Sequence, residues 1–118
     1  QIVMPAVRRF KPQLMMVSAG YDAHWADELS MMQLSVTGFA KIVKTIQQLA
    51  EELCQGRVVL TLEGGYNLKA VTESVKATFD VLLGNEKIED SLGPPPYRVA
   101  TPPLTTLIEA LKKIHDLP

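Results

Sequence analysis

The chain has 118 residues, 47% of them hydrophobic and 21% charged, with a formal net charge of -1, values that fit a single folding unit with a buried core. They exclude a basic field for direct nucleic-acid binding and an acidic tail. The single cysteine, Cys54, excludes an internal disulfide framework and a multi-cysteine metal cluster, and a buried, inert thiol is its expected state. No apolar run is long enough to span a bilayer and no signal-peptide pattern opens the chain, so a soluble, cytoplasmic protein without a membrane partner is expected.

In chain order, "QIVMPAVRRF" places Ile2, Val3, Val7 and Phe10 at helical spacing before Pro12 pushes the backbone out of helix. "LMMVSAG", Leu14 to Gly20, is a short apolar run closed by small residues, the pattern of a strand covered on both faces in a parallel sheet. A helix follows, with Phe39, Ile42, Val43, Ile46, Leu49, Ala50 and Leu53 on one side, Ser35 or Thr37 as cap and Gly56 as stop.

"RVVLTLE", Arg57 to Glu63, is β-branched and aliphatic and reads as a second strand. Strand, helix and strand in this order make a crossover unit, so the two strands are expected to run parallel with a right-handed connection. After Gly64-Gly65-Tyr66 comes a second amphipathic helix, capped by Asn67 and stopped by Gly84, with Leu68, Val71, Val75, Phe79, Leu82 and Leu83 as its apolar stripe. Residues 85–103 hold most of the prolines and read as an extended, surface-bound connector. A last helix over 104–115 carries Leu104, Leu107, Ile108, Leu111 and Ile114, a stripe expected to dock on the domain.

The architecture is therefore α/β, and in parallel α/β sheets ligands bind outside the carboxyl ends of the strands. Asp22 follows the first strand and Tyr66 the second, so neighbouring strands bring a carboxylate and a phenol to one pocket. Such an Asp can hold a cation and such a Tyr can donate to an oxygen that is becoming negative, a pair suited to metal-assisted attack on a carbonyl. On spacing alone, a turn-capping Asp22 and a Tyr66 packed over a Gly-Gly turn are the plainer reading. The Gly64-Gly65 pair also admits a phosphate-binding turn, although neither glycine-rich nucleotide motif is present.

At these residues the sequence resembles the histone deacetylase and acetylpolyamine amidohydrolase family, zinc-dependent deacetylases of the arginase-like fold. "LMMVSAGYDAHWADEL", "LSVTGF" and "VVLTLEGGYNL" stand in that family's order and spacing. The resemblance implies the C-terminal part of a three-layer domain with a parallel sheet, spanning 1–118 as a single partial domain. It also implies that Asp22 is one of the aspartate ligands to Zn2+. Tyr66 would hydrogen-bond the acetyl carbonyl and the tetrahedral intermediate, with Gly64 and Gly65 shaping the substrate pocket. The substrate would be an acetylated amine, a protein lysine or a small polyamine.

Asp22-Ala23-His24 mimics the family's Asp-x-His ligand pair, which stands on another strand; a pocket-rim or hydrogen-bonding His24 is preferred over a ligand. Asp27 and Glu63 match acidic positions of the same motifs, and loop or strand-end hydrogen bonding is the preferred reading of both. The tandem histidines and the separate Asp-x-His pair of the family have no counterpart here. The chain alone should therefore be inactive, and a two-stranded unit with open edges should self-associate. The alternative function is a stand-alone, non-catalytic binding domain derived from the same fold.

Overall fold

The computed structural model describes residues 1–118. Its elements are helix α1 (Val3–Phe10), strand β1 (Met15–Ala19), helix α2 (Val36–Cys54), strand β2 (Val58–Leu62), helix α3 (Leu68–Leu82) and helix α4 (Thr105–Ile114). The strands pair in parallel, from Met15 beside Val58 to Ala19 beside Leu62. This register ends both strands at one edge, so the Gly20–Asp22 and Glu63–Tyr66 segments leave the sheet together.

The helix boundaries follow local chemistry. Ser35 caps α2 by accepting from the Gly38 amide, and Gln55 ends it in the left-handed conformation at φ 57°. Asn67 caps α3 by accepting from the Ala70 amide, which frees Tyr66, one residue earlier, from helical geometry. Cys54 is buried as expected, its thiol directed at the Arg57 carbonyl at 3.3 Å.

The core lies between α2 and α3, where Val36, Ala40 and Val43 meet Ala77 and Val81. Here the face of α3 differs from the stripe read in the sequence. Ala70, Ser74, Ala77, Thr78 and Val81 are buried, whereas Leu68, Phe79 and Leu83 are exposed. Small side chains allow α2 and α3 to approach closely, and this turns the bulkier apolar residues outward.

The strands likewise bury one face only. Met15, Val17 and Ala19 are half-buried with Val58 and Leu60 beside them, while Met16 is 75% exposed and its neighbour Val59 is open on the other face; Leu62, at the end of the half-buried face, is exposed as well. An α/β strand needs cover on both sides, and this chain supplies it on one.

The proline-rich stretch does follow the surface, but its first half is fastened rather than merely extended. Ile88 and Leu92 pack on the core, and Asp90 accepts from the Thr37 amide at 3.3 Å, at the positive end of α2. Trp25 donates its indole N–H to the Gly93 carbonyl at 2.9 Å, so the stretch also clasps the loop after β1.

The terminal helix forms over Thr105–Ile114 without burying any residue, and Leu104, Leu107 and Ile114 stay exposed. Its link to the rest is polar, through the Arg9 guanidinium donating to the His115 and Asp116 carbonyls at 2.5 and 2.9 Å. The expected apolar docking of this helix is thus not made within the chain. Neighbouring Arg8 forms a two-pronged pair with Glu52 at 2.9 Å, joining α1 to the end of α2.

Candidate active site at the carboxyl edge of the sheet

Beyond the sheet the two strand-end segments remain in contact. The Glu63 amide donates to the Ala19 carbonyl at 3.1 Å, and the Tyr21 amide donates to the Gly64 carbonyl at 2.8 Å. Tyr21 points inward: it is 4% exposed, its hydroxyl lies 2.8 Å from Thr78 Oγ1, and its ring meets Phe39 edge-on at 5.2 Å. Tyr21 is therefore an anchor for the segment rather than a pocket residue.

Asp22, the next residue, is half-buried against the backbone of the second loop. A side chain at Gly64 would bring its Cβ to 3.1 Å from Asp22 Oδ2, and one at Gly20 would stand 3.1 Å from Oδ1. Two glycines thus form a cradle for this carboxylate. The side-chain hydrogen bonds of this loop run through His24, Trp25 and Asp27, and none ends on Asp22. A carboxylate held in place with its oxygens uncommitted is suited to accept a cation.

His24 does not share that direction. The backbone turns at Asp22-Ala23, and His24 then pairs with Leu34 in an isolated bridge. Its ring is fully buried, nearly parallel to Phe39 with centroids 6.5 Å apart. Nδ1 accepts from the Ala26 amide at 3.1 Å, which makes His24 a packing and hydrogen-bonding residue away from the pocket rim. Burial pushes its pKa down, countered in part by Asp90 and Asp27.

Tyr66 stands at the exposed end of the Gly64-Gly65 loop, 64% accessible, and lines an open cavity of about 440 Å³ with Ala26, Asp27, Glu28, Leu29 and Asn67. Gly65 has φ +135°, a conformation that L side chains rarely adopt, and a Cβ there would reach 2.3 Å from Val71 Cγ2. The loop is held from below by Asp27, which is 4% exposed. Its Oδ2 accepts from the Tyr66 and Asn67 amides at 2.7 and 3.0 Å, and its Oδ1 accepts from the Leu29 amide at 3.0 Å. These bonds, led by the one from Tyr66, hold the Asp27 pKa below its ordinary value against the cost of burial. Asn67 reinforces the junction by donating to the Ala26 carbonyl at 2.8 Å.

Glu63 takes the strand-end part read for it, accepting from the Ser18 hydroxyl at 2.9 Å. The structure thus brings Asp22 and Gly64 into contact, sets Tyr66 two residues further on, and turns His24 away. Gly20 and the several bonds of Asp27 were not legible in the motif. A glycine two positions before the aspartate was the only hint of the cradle.

The chain holds no group of three His, Cys, Asp or Glu side chains able to bind a metal. The uncommitted Asp22 carboxylate in its glycine cradle nevertheless fits Zn2+ as one oxygen ligand, and a closed coordination sphere would draw its other ligands from outside these residues.

Residues 1–82 match the histone deacetylase domain. The chain is 40% identical over 119 residues to the chloroplastic histone deacetylase 14 of Arabidopsis thaliana, covering 99% of this chain and 28% of that protein. It is 42% identical over 84 residues to a histone deacetylase-like amidohydrolase of Pseudomonas aeruginosa, covering 71% of this chain and 22% of the relative. Among solved structures, the histone deacetylase Clr3 superposes with a TM-score of 0.73 at 32% identity, over 97% of this chain and 18% of that one. The chain therefore spans only about a quarter of these relatives' length, and its two strands and their loops are one part of a larger α/β domain. With the family's domain matched over most of the chain and the backbone superposing on a solved member, this chain belongs to the histone deacetylase family.

Proposed function

We propose that this chain is the C-terminal part of a zinc-dependent deacetylase that hydrolyses N-acetyl amides of the acetyl-lysine or acetylpolyamine type. The observation that carries the proposal is the Asp22 carboxylate, seated between Gly20 and Gly64 without a hydrogen bond from the chain, beside the loop that presents Tyr66. Family membership supports the hydrolytic class.

In this reading Asp22 supplies one anionic oxygen to the metal. The chemistry a bound zinc ion supplies is Lewis-acid polarisation of the acetyl carbonyl and of a water. Tyr66 donates its hydroxyl hydrogen bond to the carbonyl oxygen, and that bond strengthens as the carbon becomes tetrahedral and the oxygen gains charge. Gly64 and Gly65 shape the loop that seats Asp22 and presents Tyr66, since a side chain at either position would meet Asp22 or Val71. The proton acceptor for the water comes from outside these residues. His24 is closed off from the pocket, and His115 lies beyond the end of α4. Water addition and cleavage of the C–N bond give acetate and a free amine.

The test is made on the full-length, zinc-loaded protein with an acetyl-lysine peptide and an acetylpolyamine as parallel substrates. Asp22→Ala should lose zinc and activity together. Tyr66→Phe should keep zinc and lose roughly 100-fold or more in kcat, the scale of one oxyanion donor. Unchanged turnover in Tyr66→Phe would refute the role of Tyr66, and a parent protein without turnover on either substrate would favour a non-catalytic binding domain.

A further inference from the structure

Tyr66 is delivered by a loop whose two preceding residues are glycines, the least restrained pair a chain can use, and its ring is largely in solvent. Something other than the ring must therefore fix where the hydroxyl points. The carbonyl of Gly64 is tied to the Tyr21 amide at 2.8 Å, which secures the start of the loop. The far end is secured by the Asn67 side-chain amide donating to the Ala26 carbonyl at 2.8 Å and by a carboxylate that holds the backbone itself. The Asp27 carboxylate accepts from the consecutive amides of Tyr66 and Asn67 with one oxygen and from Leu29 with the other, and it is buried beneath both loops.

We infer that Asp27 is a positioning residue for Tyr66, fixing the backbone from which the phenol reaches the substrate. The inference rests on the proposed role of Tyr66 as a hydrogen-bond donor to the acetyl carbonyl. Its chemistry is specific to a carboxylate. Both Asp27 oxygens face N–H donors, so an amide in its place would turn an NH2 group toward either Leu29 or the Tyr66–Asn67 pair, donor against donor. The shape would be preserved while a bond holding the loop is lost. A displacement of about 1 Å in a group that must meet a developing charge is enough to cost about 100-fold in rate.

The experiment compares Asp27→Asn, Tyr66→Phe and the double variant in the full-length, zinc-loaded protein, with an acetyl-lysine peptide as substrate. Asp27→Asn should lower kcat by roughly tenfold or more, leaving KM within about twofold and zinc content unchanged. Amide hydrogen exchange at Tyr66 and Asn67 should quicken in the same variant, while α2 amides keep their protection. In the Tyr66→Phe background Asp27→Asn should cost almost nothing further, because the group it positions is gone. Should Asp27→Asn fail to fold, Asp27→Glu carries the same cycle, keeping the charge and displacing it by one methylene.

Losses that multiply in the double variant, or a change confined to KM, would overturn the link between Asp27 and Tyr66 while leaving the role of Tyr66 intact. A Tyr66→Phe variant as active as the parent would overturn the role of Tyr66, and this inference with it.

Discussion

Replacing Gly65 by alanine probes the loop geometry most directly, because it adds a single methyl group where two separate penalties meet. The backbone there has φ +135°, and holding an L residue in such a region costs about 1–3 kcal/mol. The new Cβ would stand 2.3 Å from Val71 Cγ2, closer than real Cβ contacts, and overpacking of this kind costs about 1–3 kcal/mol. Val71 cannot swing aside cheaply, since a β-branched side chain in a helix has one strongly preferred rotamer. Gly65→Ala should therefore destabilise the full-length protein by about 2–6 kcal/mol, read from urea denaturation midpoints at constant slope. Removing the obstructing methyl in a Val71→Ala background should recover the overlap part, about 1–3 kcal/mol, and leave the backbone part. Equal costs of Gly65→Ala in both backgrounds would refute the contact with Val71, and a cost below about 0.5 kcal/mol would refute the loop conformation itself.

Gly64→Ala tests the cradle: a Cβ 3.1 Å from Asp22 Oδ2 forces the carboxylate to shift by a few tenths of an ångström, so zinc affinity should fall, and unchanged metal titration would count against Asp22 as the ligand. The lowered pKa of Asp27 sets a pH dependence whose sign is fixed. The stabilisation is complete above the ordinary carboxyl value of 3.8 and is lost as pH falls through the lower folded value, so Tyr66 amide protection should survive to pH 4 and disappear only in stronger acid. The Arg8–Glu52 pair is half exposed on both sides, and Glu52→Gln should leave the unfolding midpoint unchanged within error in ordinary salt. Residues 1–118 produced alone should self-associate through the open strand edges and the exposed Met16, Leu68, Phe79 and Leu83; light scattering that reports a 13.0 kDa monomer with cooperative unfolding would refute this.

The open surfaces have one common source. The chain spans about a quarter of its relatives, and the uncovered sheet face, the outer stripe of α3 and the stripe of α4 are the faces an α/β domain would cover with the layers missing from this span. Strand β1 also borders a cavity of about 880 Å³ lined by Val7, Phe10, Met15, Met16, Val17 and Ile46, apolar on nearly all sides.

Legible in the sequence were the order of strand, helix, strand and helix, the cap at Asn67, a cap at Ser35 or Thr37 that the structure resolves to Ser35, and the two motifs that put Asp22 and Tyr66 at strand ends. These are local properties: apolar period, β-branched runs and capping side chains act within a few residues of themselves. Tertiary structure alone decided which face of α3 is buried, because Ala70, Ser74 and Ala77 fit against α2 by size while periodicity favours the larger Leu68 and Phe79. It also decided the fate of two residues three apart in one loop. His24 turns into the core and Asp27 reaches under a loop 39 residues away in sequence, since a backbone turn and long-range donors, not spacing, set where a side chain finds its partners.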